Sequence, residues 1–220
     1  KTPLQRRLNA IGSRGFGAEI ARYYTKLAKD KCPLPKGAKQ LSWLEMNSEE
    51  GQEYWTAMNL AGDYSSANHH IIHDRLAKAL GEQALFMVEN HHNYAWKTTL
   101  DDGEEVILHR KGATPAARGD LAIIPGTMAT PAHVVRGKGH KQALNSAAHG
   151  AGRLMSRSQA KENLQEKDLR LLLKKQGVTL VGGGMDEAPM AYKKIENVMQ
   201  YQSEMVETLA MFYPKIVRMG

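Results

Sequence analysis

Ala147-Ala148-His149-Gly150-Ala151-Gly152-Arg153-Leu154-Met155-Ser156-Arg157 is the run on which the reading of this chain turns. It sets a histidine beside two glycines and places two arginines four positions apart. Gly150 and Gly152 let a backbone approach a ligand closely, and N–H groups exposed in such a turn cradle oxygens. On a helix, Arg153 and Arg157 share one face, where a pair of guanidinium groups suits a phosphate. Neutral imidazole attacks phosphorus to give a phosphoramidate, and flanking cations stabilise the charge that develops on the phosphoryl oxygens. His149 is therefore a candidate nucleophile. Taken alone, the run also suits a surface histidine in a Gly-rich turn, which is the commoner case.

The chain around it has 220 residues, 42% of them hydrophobic, enough to fill the core of one large domain or two small ones. Its single cysteine, Cys32, excludes an internal disulfide and fits a reducing compartment. No apolar run approaches the roughly 20 residues of a membrane span, and the basic start from Lys1 to Arg7 leads into Gly and Ser. The expectation is a soluble cytoplasmic protein with no membrane partner. Lys and Arg outnumber Asp and Glu by 30 to 23, and the net charge of +7 attracts polyanions such as nucleic acid.

Gly12-Ser13-Arg14-Gly15-Phe16-Gly17 is a Gly-rich turn, and Ile20, Tyr23, Leu27 and Ala28 then recur at helical spacing from about Ala18. A second helix starts at a cap on Asn47 or Ser48, runs through Trp55, Met58 and Ala61 to Leu80, and stops at Gly81. The middle third reads as strand at 84–88, 106–109, 121–124 and 133–135, with Asp101-Asp102-Gly103 as a hairpin turn. Helix returns over 158–176, a short strand covers 178–181, and Ile195, Val198, Met199, Gln202, Met205, Val206 and Leu209 space as an amphipathic helix. Pro214 and a final strand follow. The fold class is α+β. His69 and His73 are one turn apart on the second helix, a spacing that can bind metal, though the plainer reading of an ordinary helix face is preferred.

Six motifs occur in one order. They are Gly12-Ser13-Arg14-Gly15, His91-His92-Asn93-Tyr94, His109-Arg110-Lys111-Gly112-Ala113-Thr114, Ile124-Pro125-Gly126-Thr127-Met128, the His149 run, and Glu187-Ala188-Pro189-Met190-Ala191-Tyr192-Lys193. Together they resemble the RtcB family of RNA-splicing and repair ligases, over about Ile11 to Gly220. The resemblance implies an RtcB-like fold of central β-sheets flanked by helices. It implies a GTP- and manganese-dependent ligase that joins RNA 3′-phosphate or 2′,3′-cyclic phosphate ends to 5′-hydroxyl ends. It further implies that His149 takes GMP from GTP and passes it to the RNA 3′-phosphate. His92 would ligate manganese, and Asn93 would lie against the GTP phosphates. Pro125, Gly126, Thr127, Met128, Ala132, Gly150, Ala151 and Gly152 would line the nucleotide, with Tyr192 near the base. Arg14, Lys111, Arg153 and Arg157 would hold RNA or triphosphate oxygens, and an activating protein is a possible partner.

The chain departs from the family at Ala10, where a metal-binding histidine is expected, at Ala132, where the guanine pocket has a serine, and at Met219, where a lysine is expected. Residues 1–10 match nothing in the family, and 11–220 read as the C-terminal portion of its catalytic domain. The N-terminal part, with its Asp, its Cys and a further metal motif, is expected to be lacking. Two other functions remain open on these residues: a non-catalytic RNA-binding module, and a metal-dependent phosphohydrolase using His92 with His69 or His73.

Overall fold

Ser48 begins the longest described helix: its side-chain oxygen accepts a hydrogen bond from the Gly51 N–H at 3.0 Å, satisfying one of the donors that a helix start leaves open. Glu49 and Glu50 place negative charge in the first turn, where the helix dipole favours it. The helix ends at Gly81, whose φ of 72° is left-handed. The computed structural model to which it belongs describes residues 14–32, 34–84 and 86–218, so Ala10 and Met219 lie outside the described residues. The chain divides into two compact units, Lys1–Phe86 and Met87–Gly220.

The first unit is a helical hairpin of α1 (Arg14–Lys31) and α2 (Glu49–Leu80). Ring contacts from Phe16 to Tyr64 (centroids 5.9 Å apart) and from Tyr24 to Tyr54 (5.1 Å), with an ion pair from Lys31 to Glu50, run in opposite directions along the two helices. Gly51 is buried where the preceding loop presses on α2; a Cβ there would lie 1.9 Å from the Glu45 carbonyl oxygen. Helix is already present at Arg14, ahead of the expected start near Ala18, because Gly15 and Gly17 are helical despite their weak propensity.

The second unit carries the strands. β1 (Asn93–Thr99) and β2 (Glu105–Lys111) pair antiparallel from Asn93↔Lys111 to Thr99↔Glu105. The turn between them uses Gly103 at φ 87°, as the Asp-Asp-Gly signal predicts. β3 (Ala113–Pro115) pairs with β6 (Ser146–Ala148), and β4 (Leu121–Ile124), β5 (Ala132–Gly137) and β8 (Val206–Phe212) form a three-stranded antiparallel sheet in the order β4-β5-β8. β7 (Thr179–Gly182) and β9 (Ile216–Arg218) pair in parallel. Three helices, α3 (Arg157–Asn163), α4 (Glu166–Gln176) and α5 (Ile195–Tyr201), complete the unit. The chain is thus mixed helix and strand.

Two small cores hold this unit. Ile124, Val135, Ala147, Ala151, Ile195 and Val206 form one, with Tyr192 and Met199 packed against it. Met128, Ala129, Leu169, Leu173, Val178 and Ala188 form the other. Ala151 and Met128 therefore anchor the two loops on either side of His149 from below.

Three expectations for the elements are corrected. Residues 84–88 carry no strand where they are described, and the first arm of the hairpin is instead Asn93–Thr99. The expected helix over 158–176 breaks at Leu164 and Gln165. Leu164 packs into the second core, and the Gln165 carbonyl accepts from Asp168 and Leu169 to start α4. The last amphipathic helix stops at Tyr201. Gln202 is 4% exposed, and its Oε1 accepts from the Ala148 N–H at 2.8 Å, which pins the chain to β6. Val206 onward then pairs with the free edge of β5. A nonlocal ladder overrides the helical spacing of Met205, Val206 and Leu209.

Candidate functional site

β6 leads directly into His149, whose backbone N–H donates to the Gly112 carbonyl at 3.3 Å, while the Gly112 N–H donates to the His92 carbonyl at 2.8 Å. Gly112 has φ 70°, and a Cβ built on it would lie 3.5 Å from the His149 ring. That link brings His92 onto His149: their rings stack with centroids 4.7 Å apart and planes 18° from parallel. His92 keeps much of its surface open, yet desolvation holds its imidazole below the ordinary histidine range, with the charges of His149, His91 and Lys111 acting in the same direction.

His149 lines a cavity of about 610 Å³, a size that suits a nucleotide. Pro125, Gly126, Thr127, Met128 and Ala132 form one wall, Gly150, Ala151 and Gly152 continue from His149, and Arg153, Arg157 and Tyr192 close another side. The Pro-Gly-Thr-Met wall is built by its own hydrogen bonds. The Thr127 N–H donates to Thr130 Oγ1 at 2.8 Å, the two threonine hydroxyls meet at 2.9 Å, and the Gly126 N–H donates to the Pro131 carbonyl at 3.1 Å. The Ala151 N–H donates to the Pro125 carbonyl at 3.2 Å, joining the two loops. A Cβ on Gly126 would come within 2.5 Å of Pro131 O and Thr130 Oγ1, so only glycine fits there.

Tyr192 enters the wall through a backbone bridge with Arg153. Arg153 donates from Nε to Met155 O at 3.0 Å, from Nη1 to Tyr192 Oη at 2.9 Å and from Nη2 to Asp186 O at 2.6 Å, so each of its three nitrogens has a partner. Arg157 is held differently. It is 62% exposed and pairs with carboxylates alone, Asp186 at 2.7 Å and Glu187. Tyr192 Oη donates to Glu187 Oε2, and Arg153 Nη1 lies 3.7 Å from the same oxygen. The hydrogen bond from Arg157 holds the Asp186 carboxyl below the usual carboxylate range. Burial, then the Glu187 contact, raises the Tyr192 phenol.

Other expected residues stand apart from the cavity walls. His92 stacks behind His149, and Asn93 faces Lys111 across the β1–β2 ladder, with Lys111 Nζ donating to Asn93 Oδ1 at 3.5 Å. Arg14 belongs to the other unit, and its side chain lies outside the described residues. Sequence reasoning missed Thr130, Glu187, Phe212, Pro214 and Val217, which complete the lining. For Glu187 a signal existed, since it opens the Glu187-to-Lys193 motif; for the last three, which arrive on β8, β9 and the link between them, none did.

The stacked His92 and His149 rings hold their lone pairs in two separate, nearly parallel planes, and no group of three or more His, Cys, Asp or Glu side chains that could hold a metal ion such as manganese occurs among the described residues. The described residues do not make a manganese site. Among the described residues His69 and His73 likewise gain no third ligand. Among the described residues no helix is long and apolar enough to cross a membrane.

A family model described as tRNA-splicing ligase RtcB matches residues 10–220. The chain is 34% identical over 214 residues to the RNA-splicing ligase RtcB of Escherichia coli strain K12, an alignment covering 90% of this chain and 52% of that one. It is 32% identical over 232 residues to the RNA-splicing ligase RtcB of Mycobacterium tuberculosis, covering 92% and 54%. To the tRNA-splicing ligase RtcB of Methanococcus maripaludis it is 33% identical over 222 residues, covering 85% and 46%. The chain spans about half the length of the curated relatives it matches. With the family model covering nearly all of its length, and with the motif loops meeting around one cavity, the chain belongs to the RtcB family.

Proposed function

We propose that this chain serves an RNA ligase reaction in which His149 accepts GMP from GTP and passes it to an RNA 3′-phosphate, so that the activated end is joined to a 5′-hydroxyl. The observation that carries the reading is the position of His149 in the wall of a nucleotide-sized cavity, beside Pro125–Met128, Gly150–Gly152 and Tyr192. A neutral imidazole nitrogen of His149 attacks the α-phosphorus, an N–P bond forms, the bond to the β-phosphate oxygen breaks, and pyrophosphate leaves. Backbone N–H groups around Gly150 and Gly152, with Arg157 at the rim, face the charge that develops on the phosphoryl oxygens. Tyr192 supplies an aromatic edge for the base.

RNA carrying 3′-phosphate or 2′,3′-cyclic phosphate ends is the substrate this reading takes, in tRNA splicing or RNA repair, with Lys111 and Arg14 as further phosphate contacts and Asn93 against the triphosphate. RNA ligases of the same family are named for the splicing reaction, and the net charge of +7 supports a polyanionic substrate. Manganese is the metal the reading expects, with His92 as one ligand. No step is assigned to it, because the described residues do not complete its coordination.

Incubation of the protein with GTP labelled at the α-phosphate, in the presence of manganese, tests the proposal. Acid-labile label on the wild type and none on His149→Ala is the expected result. An unlabelled wild type, or label retained by His149→Ala, overturns it.

A further inference from the structure

The reading of the cavity as a nucleotide site leaves Glu187 without a role, although its side chain is 13% exposed and lines that cavity. A carboxylate beside a site meant for a triphosphate is unfavourable to the ligand unless it serves another purpose, because like charges at close range repel. Its contacts name two purposes. Glu187 Oε2 accepts from Tyr192 Oη, and Glu187 Oε1 pairs with Arg157.

The first contact acts on shape. A tyrosine ring rotates about two side-chain bonds, and a hydrogen bond at the far end of the ring selects one orientation. Arg153 supports that orientation from the other side, donating to the same phenol oxygen at 2.9 Å, while its own guanidinium is committed to the Met155 and Asp186 carbonyls. Tyr192 is thus held by a donor and an acceptor at once. The second contact acts on charge. Arg157 has no backbone acceptor among its described bonds, is largely exposed, and leans on Asp186 and Glu187 only. The Arg157 head is open to solvent while the two carboxylates are mostly covered, so a polyanion arriving from solvent competes with them for it. A ligand that recruits Arg157 binds in proportion to the fraction of molecules in which it has left the carboxylates.

We propose that Glu187 is a positioning residue with two opposed effects on this cavity: through Tyr192 it sets the aromatic wall for a nucleobase, and through Arg157 it withholds a cation from the ligand's phosphates. The two effects therefore separate: truncating Glu187 weakens the nucleobase, and removing its charge while keeping its shape tightens the polyphosphate. A defect in folding would weaken both.

The experiment measures binding of guanosine and of inorganic tripolyphosphate to the full chain at low salt by calorimetry, for wild type, Glu187→Gln, Glu187→Ala, Tyr192→Phe, Arg157→Gln and the double variants Glu187→Ala/Tyr192→Phe and Glu187→Gln/Arg157→Gln. Glu187→Ala and Tyr192→Phe are expected to weaken guanosine by about tenfold, the scale of one hydrogen bond to a charged acceptor, and the double variant to weaken it no further. Glu187→Gln is expected to tighten tripolyphosphate by about two- to fivefold, the scale of one exposed ion pair. Adding Arg157→Gln to Glu187→Gln is expected to abolish that gain. Should Glu187→Gln weaken both ligands in parallel, or leave tripolyphosphate unchanged, the proposal is wrong while the nucleotide site stands. Should neither ligand bind the wild type, the nucleotide reading itself fails and takes this inference with it.

Discussion

The imidazole rings of His92 and His149 lie one over the other, 4.7 Å between centroids, with Gly112 tying both backbones together. A charge on the His149 ring is therefore felt by His92. His92 has its folded pKa lowered, first by desolvation and then by His149. A histidine with a lowered folded pKa favours folding above its unfolded value of about 6.5, and this contribution is lost as pH falls from there through the folded pKa. An NMR titration of the imidazole C–H signals is expected to show His92 titrating below an ordinary histidine, and His149→Ala to move its midpoint upward. An unmoved midpoint would sever the electrostatic link between the two rings.

His133 gives a second dependence on acidity, in a different place. It sits on β5 at 6% exposure, with Nδ1 3.3 Å from Thr208 Oγ1 and Nε2 without a partner. Desolvation lowers its pKa, and Glu196 acts in the opposite sense. By the same sign, stability above pH about 6.5 should exceed that at pH 5, and His133→Asn should flatten the difference. Urea midpoints across pH measure it, and equal slopes for both proteins would exclude His133 as a source.

Gly126→Ala forces a Cβ within 2.5 Å of backbone and of Thr130. The wall of the cavity must shift, so guanosine binding should fall at least about tenfold, which corresponds to a loss of roughly 1.4 kcal/mol. The far-UV circular dichroism should change little, since the clash lies in a loop. Calorimetry with undiminished affinity would mean that this loop does not meet the ligand.

Gln202→Ala strips the acceptor from the Ala148 N–H, one residue before His149. Leaving a buried donor unpaired costs about 1 to 3 kcal/mol, which urea unfolding should show as a lower midpoint with the slope unchanged. A variant as stable as wild type would imply that water replaces the amide.

What the sequence reveals of this molecule follows how local each cause is. Ser48 and Gly81 bound α2 legibly because a cap is written within a few residues of the end it closes, and Asp101-Asp102-Gly103 marks its hairpin for the same reason. β8 was illegible, because Val206–Phe212 is a strand only by virtue of the edge that β5 offers seventy or so positions earlier. In the site, the loops around His149 and Pro125 announce themselves through glycines that a close approach requires. The pairing of Glu187 with Arg157, and the arrival of Phe212 and Val217 in the lining, depend on tertiary approach and leave no spacing to read.

The lining by Phe212, Pro214 and Val217 also has a meaning in time. A ribosome delivers His149, the Pro125 turn and Tyr192 well before it delivers β9, and nascent chains fold as they emerge, at roughly 5 to 20 residues per second. For the last few seconds of that delivery the histidine is out of the tunnel while one side of its chamber is still unsynthesised. The reactive ring is thus made early and enclosed late, so the chain cannot hold its ligand properly until β9 has followed.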